Sequence, residues 1–444
     1  MKKEYLMIVF LVAFSLILQK SYAQDDAQEI KGQISGVYWS IKSSNPISII
    51  NPVQQKDFNM WDFPDEPVGI IHSSNAYYFF GSGSNQENGV IGQQGTYEFT
   101  GSLASITPAQ IGPDQLPIPS LLPGLQEPSP DGSAFDRDYA GASFAYIANV
   151  TGYNPLWVLL YHGEFHQPYT DGNIHQGKFF SYAGGGIAVS YDQGKSFQKL
   201  GQLFSPHITL QDCINKNPQI NGVLDGGTAS WVEADKNGQP IETGRFYAPN
   251  ELYYYVIVGD RNSWNTQDYG FAIARALKSD VLLAIAQKKT PVFMKYYVPS
   301  GNPQNGVNYF TQPAIGGLST LLLNSASENE YIAHPQLVYD NFIGKFILSY
   351  NFNQRIVYIR FSSDLIHWSN RVLIAQAPAG YKLFYPTLAG DGPDPKVVGQ
   401  HFYLYFTTLP FNGITSSYAQ KHFMRRDIDI GQGQQRVLSP WSKE

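Results

Sequence analysis

Five times along the chain a short run of aromatic and β-branched residues appears, and each copy is followed by small or polar residues. The copies are Ala76–Gly83 (AYYFFGSG), Leu156–Glu164 (LWVLLYHGE), Leu252–Asp260 (LYYYVIVGD), Lys345–Phe352 (KFILSYNF) and His401–Thr408 (HFYLYFTT). They are too short for buried helices and too rich in Tyr, Phe, Val and Ile, so they read as strands. Ahead of each lies a second apolar stretch: Val68–His72, Ala142–Ala148, Thr228–Val232, Gln336–Tyr339 and Pro386–Leu388. Behind three comes a further motif, Gly186–Phe197, Gly270–Val281 and Val357–Trp368. The alignment makes each a strand–turn–strand hairpin, with a helix over Arg275–Gln287 as the competing reading of the second. A sheet motif repeated five times is the mark of radial repetition, each copy forming one blade. The copies are spaced roughly 55 to 95 residues apart, more than the usual ~40–50 of a blade. The expected fold is therefore all-β, a five-bladed β-propeller with long inter-strand loops.

The ends of the chain set its expected location and boundaries. Lys2 and Lys3 precede an apolar run from Leu6 to Leu18, and Ser21, Tyr22 and Ala23 supply a cleavage site, so residues 1–23 read as a secretory signal. The apolar run is too short for a membrane anchor, and no Cys follows it to carry a lipid. A secreted or periplasmic protein is expected. Residues 24–35 read as a flexible leader and 36–444 as the propeller. Gly36–Ile41 (GVYWSI) falls outside the five repeats and is expected to pair with His422–Ile430, closing the ring. Thr107–Asp136 holds seven prolines and reads as an irregular insertion, on the surface or as a wall of a cleft. Cys213 is the only cysteine, so no internal disulfide can form, and it reads as a small buried hydrophobe.

Charge narrows the partners. The net charge is −6, and removal of Lys2, Lys3, Lys20 and Glu4 with the signal makes it about −8. Without a run of Lys or Arg, nucleic acid and anionic membrane are poor partners. A surface low in charge and rich in Tyr, Trp, Gly and Asn suits neutral sugars, whose C–H faces stack on rings.

In a propeller the innermost strands line the axis, so the residues that begin them crowd one mouth of the channel. Here these are Asp65 (PDEPVGI), Asp138 (DRDYAGAS), Asp225 (LDGGTAS), His334 (AHPQLV) and Tyr385 (FYPTLAG). Three carboxylates brought together suit glycosidic cleavage, which needs one carboxylate to activate water or attack and one carboxylic acid to protonate the leaving oxygen. A third can raise its neighbour's pKa by repulsion. Glu164, at the end of the second strand of blade two, is a further candidate. It lies among His162, His166 and His175, which show no metal-ligand spacing. Arg137, Asp260, His334 and Tyr385 are candidates for substrate binding, and His334 also for a central ion.

The aromatic strands, the acidic residues at the mouth and the hairpin Ser362–Trp368 resemble the five-bladed propeller glycoside hydrolases: arabinanases, β-xylosidases, arabinofuranosidases and fructan-cleaving enzymes. The resemblance covers most of the mature chain. In those enzymes an Asp-Pro opens blade one about ten residues before a Tyr-Tyr strand. Asp65-Glu66-Pro67 before Tyr77-Tyr78 is similar, which implies a general base at Asp65, with Asp62 as competitor. The family's second Asp implies a pKa modulator at Asp138, with Asp136 in reserve. Its general acid is a Glu in a later blade, and here the pattern departs, leaving Glu164 or Asp225. The resemblance implies no required cofactor, and a calcium near the axis beside a His in some members. It also implies a carbohydrate partner, most specifically a furanose- or pentose-containing polysaccharide.

Other motifs carry less. Ser190–Phe197 (SYDQGKSF) is close to the Asp-box of sialidases and reads, with Ser362–Trp368, as a structural hairpin turn. Gly184-Gly185-Gly186 lacks the helix and Lys of a phosphate loop. Three other classes stay open. A sugar-binding propeller without catalysis needs the aromatics alone. A sialidase needs six blades and an arginine trio, for which Arg137, Arg261 and Arg355 are available. A surface protein that engages another protein needs an exposed apolar patch.

Overall fold

The computed structural model describes residues 29–34, 37–87, 90–108, 122–123, 135–168, 179–216, 223–224, 227–242, 244–248, 250–264, 268–299, 309–328, 330–411 and 418–432. The signal segment 1–23, most of the proline-rich insertion, and Asp225 and His175 lie outside them.

Five separate sheets form. Blade one is built on Gly69–Ser73, Ala76–Glu87, Val90–Ser102 and Ser105–Pro108. Blade two runs Tyr139–Ala148, Leu156–Pro168, Phe179–Ser190 and Gln198–Phe204. Blade three begins Ala229–Asp235, Leu252–Arg261 and Tyr269–Leu277. Blade four is Ile332–Asp340, Lys345–Phe352, Ile356–Ser362 and Val372–Gln376. Blade five is Tyr381–Ala389, His401–Pro410 and His422–Gln432. All five aromatic runs are second strands, each antiparallel to the strand before it.

These runs are apolar throughout because both faces of each blade are covered. Along the second strand of blade two, Leu156, Val158 and Leu160 pack toward Trp231 and Val256 of blade three. The alternate residues Trp157, Leu159 and Tyr161 pack toward Ile71 and Phe80 of blade one. The period of two sends successive side chains to opposite faces. The same division recurs between blades three and four, four and five, and five and one, so the core is five wedges between blades.

Short polar side chains stitch neighbouring blades together. Thr96 Oγ1 accepts from Ala142 N at 2.8 Å, and Ser143 Oγ donates to Ala229 O at 3.1 Å. Leu337 N donates to Ser230 Oγ at 2.7 Å, Asn351 Nδ2 to Leu383 O at 2.7 Å, and Val68 N to Thr387 Oγ1 at 2.8 Å. Each of the five junctions thus has a buried bond that satisfies backbone groups no sheet ladder reaches.

The ring closes as the sequence implies. Val37–Ser43 pairs antiparallel with His422–Gln432, with Ile41 opposite Ile430, so both ends of the chain share blade five. Two expectations are corrected. Glu29–Ile34, within the stretch expected as a flexible leader, pairs with Val37–Ser43 as an outermost strand, because that strand's free edge templates it. The hairpin expected over Gly270–Val281 is a strand to Leu277 followed by a helix, Lys278–Ala286. Here good helix formers, with Val281 and Ile285 one turn apart and buried, override the repeat. Ser190–Phe197 and Ser362–Trp368 are hairpin turns: Gly194 N donates to Ser190 Oγ at 2.7 Å, and Leu365 N to Ser362 Oγ at 2.8 Å. Cys213 is fully buried.

Candidate active site

At the mouth where the inner strands begin, five blades contribute polar side chains. Blade one supplies Asp62, Asp65 and Glu66 from the segment ahead of its inner strand. Glu66 reaches across the axis, accepting from Thr228 Oγ1 of blade three at 2.9 Å and lying 3.8 Å from His334 Nδ1 of blade four. Blade five supplies Tyr385, whose hydroxyl donates to Asp65 Oδ1 at 3.0 Å, and Lys421.

Lys421 organises the acids. Its ammonium is buried, pairs with Asp62 Oδ1 and lies 2.6 Å from Asp65 Oδ1. Gln55 Nε2 holds the Lys421 carbonyl at 2.7 Å. Asp62 is buried and Asp65 is partly exposed, with side-chain exposures of 9% and 31%. Burial first, and then the neighbouring charge and hydrogen bond of Asp65, push Asp62 up to about 7 against the opposing pull of Lys421. Asp62 therefore keeps its proton to a higher pH than an ordinary carboxyl, beside the ammonium of Lys421. Burial alone would neutralise Lys421, but the charges of Asp62 and Asp65 keep it protonated.

His334 and Tyr385 arrive by the same backbone device. Each precedes a proline, sits at an irregularity in the register of its inner strand and has φ of +57°. A left-handed conformation in a non-glycine residue costs ~1–3 kcal/mol and persists where the surroundings enforce it. Here it turns both rings onto the axis, where they meet edge to face at 4.6 Å.

Blade two supplies Tyr139 and Glu164. Burial, then the charges of Asp65, Glu66 and Glu164, push the Tyr139 hydroxyl well above the phenol range. Gly141 is required beneath it, since a Cβ there would lie 2.6 Å from the Tyr139 ring. Glu164 hydrogen-bonds His162 Nε2 at 3.0 Å and His166 Nε2 at 2.5 Å. Burial works against its charge, but these two imidazoles outweigh burial and hold the carboxyl well below the usual range.

The other sequence candidates fall around this cluster. Asp138 points back at its own blade: Arg137 Nη2 donates to it at 2.7 Å and the His166 backbone N–H at 2.6 Å, which braces the strand carrying Glu164. Arg137 is committed to that pair and to the His166 carbonyl, and it lies 4.0 Å over the Phe165 ring. Asp136 is buried against Lys199 at 3.0 Å and Tyr161 at 2.9 Å. Asp260 is also buried, 2.8 Å from the buried Lys295, and so has no open path to a substrate. Asp225 lies outside the described residues. Among the described residues no group of three or more His, Cys, Asp or Glu is arranged to hold a metal. Lys421 and Glu66 were not legible as site residues. The only signal was a lysine immediately ahead of the buried strand His422–Gln432, where an ammonium must find carboxylates.

No known family profile matches the chain, and no curated protein does. Among solved structures it is similar to an α-L-arabinofuranosidase from Podospora anserina in complex with cellotriose, at 9% identity and a TM-score of 0.43, covering 86% of this chain and 95% of that one. A putative glycoside hydrolase from Parabacteroides distasonis matches at 12% identity and a TM-score of 0.41, over 92% and 97%. An endo-arabinanase from Bacillus licheniformis matches at 13% identity and a TM-score of 0.39, over 83% and 96%. The five-bladed architecture rests on the sheets themselves.

Proposed function

We propose that the protein is a secreted glycoside hydrolase that cleaves a furanose- or pentose-containing polysaccharide at this mouth. The observation that carries the reading is the opposed environment of its carboxyls: Asp62 pushed up to about 7 beside Asp65, and Glu164 held well below the usual range. Carboxyls driven apart in this way divide naturally into acid and base. The Asp62–Asp65 pair holds a proton and is partly exposed at Asp65. Glu164 stays ionised.

In the proposed reaction Glu164 takes a proton from water as the water oxygen bonds to the anomeric carbon. The glycosidic C–O bond breaks, and the leaving oxygen takes the proton held by the aspartate pair, delivered by Asp65. The pair then carries two negative charges against the single positive charge of Lys421, and the proton on Glu164 returns to the pair through solvent. This division reverses the roles that resemblance alone implies for Asp65 and Glu164. Tyr385 and His334 offer ring edges and faces for sugar contact.

Aryl arabinofuranosides and xylosides, compared with soluble arabinan and arabinoxylan, test the assignment. A nitrophenolate leaves without acid help. Asp65→Asn should therefore lose polysaccharide cleavage by ~10²–10⁴-fold while keeping much of its activity on the aryl substrates. Glu164→Gln should lose both, with partial rescue by azide. The opposite pattern makes Asp65 the base. A wild type that binds these glycans and never cleaves them defeats the hydrolase reading.

A further inference from the structure

The inner strands end at a second mouth, and it holds a pocket that the acid site does not use. Ser143, Ser230 and Gln336 lie at one level of the channel: Leu337, next to Gln336, bonds Ser230, and Gln336 Nε2 donates to Ser143 O at 3.2 Å. Tyr146, Glu233 and Tyr339 each lie three residues further along the same strands, away from Tyr139 and His334. At ~3.3 Å per residue that places them roughly 10 Å beyond this level. With Trp231, Asn341 and Lys396 they line a cavity of about 310 Å³, at the lower end of the ~300–1,000 Å³ of ligand sites.

We propose that this pocket is a second carbohydrate-binding site, taking one or two neutral sugar rings of a polysaccharide. Its charges are already matched within the protein. Glu233 accepts from Tyr146 at 2.6 Å and from Lys278 Nζ at 2.6 Å, and Asp394 lies 2.9 Å from Lys396 Nζ. Lys396 also donates to Ala145 O at 3.0 Å, which ties the blade-five loop to blade two. An ion would therefore find no net charge to neutralise. A purely apolar ligand would strip water from these groups and return no hydrogen bond. A polyol matches both features, with hydroxyls for the fixed polar groups and C–H faces for the half-buried rings of Tyr146 and Tyr339. Trp231 forms a fixed wall: the residue is buried and lines the cavity. Its ring is fixed by stacking on Tyr254 at 4.6 Å. The pocket and the acid mouth lie at opposite ends of one channel, so this site holds polymer without touching the scissile bond.

The identity of the polymer rests on the proposed hydrolase reading, but binding is measured separately from turnover. Electrophoresis of the whole protein in gels cast with soluble arabinan or arabinoxylan reads binding, and aryl pentoside hydrolysis reads the acid site. Tyr339→Ala should lower retardation by at least fivefold with aryl hydrolysis unchanged. Asn341→Ala, which removes an exposed side chain and leaves the core intact, should lower it in the same direction. Equal retardation of both variants and wild type overturns the proposal, as does a wild type that neither polymer retards. If retardation depends on Tyr339 while no aryl substrate is cleaved, the second site stands and the hydrolase reading falls.

Discussion

The ammonium of Lys421, in the last blade, lies 2.6 Å from a carboxylate oxygen of Asp65, in the first. One buried cation thereby spans the junction where the ring closes and holds two acids that would otherwise repel each other.

Replacing Lys421 by Met should be costly out of proportion to its size. The aliphatic stem is preserved, but Asp62 is left buried without its counter-charge. Breaking a buried pair from one side costs about 3–5 kcal/mol, and chemical denaturation at neutral pH should show a loss of that order. The loss should shrink as pH falls below 7 and the aspartate pair takes up protons, because Asp62 is pushed up to about 7.

Activity should follow the two opposed carboxyl environments. The value of kcat/KM reports the free enzyme, so it should decline as pH rises through about 7, where the aspartate pair gives up its proton. The acid limb should lie below the ordinary carboxylate range, because His162 and His166 keep Glu164 charged. His166→Ala removes one of those partners and should move the acid limb upward, by about one pH unit. A profile on soluble arabinan or arabinoxylan, whose leaving sugar needs the acid, measures both limbs, and an aryl pentoside should show the acid limb alone.

Glu98 offers a stability test away from the site. It is buried, one of its oxygens lacks a hydrogen-bond partner, and burial pushes it up to about 7. A carboxyl raised in the folded state binds protons more tightly there than when unfolded. Stability is therefore intact below the unfolded value near 4.5 and is lost as pH rises toward 7. Glu98→Gln should stabilise the protein at pH 8 by up to about 3 kcal/mol and change little at pH 4. Thermal unfolding at the two pH values decides it.

The closing strand should matter as core rather than as a tail. Ile41 is 4% exposed and packs with Phe402, Leu404 and Ile428 of blade five. Ile41→Ala should cost about 2–5 kcal/mol, while Lys42→Ala, one position along and exposed, should cost little. Denaturant midpoints of the two variants make the comparison.

The architecture was legible because it is local. Tyr77–Phe80, Tyr253–Val258 and Phe402–Phe406 each announce a strand covered on both faces, and five such runs leave few ways to bury them. That Asp65, His334 and Tyr385 lie near one another was legible for the same reason, since strand starts are readable and strand starts face the mouth. Lys421 and Glu66 were not, because their meaning lies in contacts across the ring. Nothing near Lys421 in the chain marks a partner 356 positions away. The helix Lys278–Ala286 was misread as a hairpin for the converse reason: local propensity prevailed where the repeat argued otherwise.

The order in which a ribosome delivers the chain gives the Lys421 bridge a temporal meaning. Asp62 and Asp65 emerge with the first blade, long before the lysine that neutralises them, and Glu164 follows with the second. Throughout that interval Asp62 and Asp65 lack the cation that pairs with both of them. The cation arrives only with the final strand, in the same event that seats Val37–Ser43 and seals the ring. A chain stopped short of that point would display Asp62 and Asp65 without their counter-charge, while Glu164 would already have its partners His162 and His166 beside it.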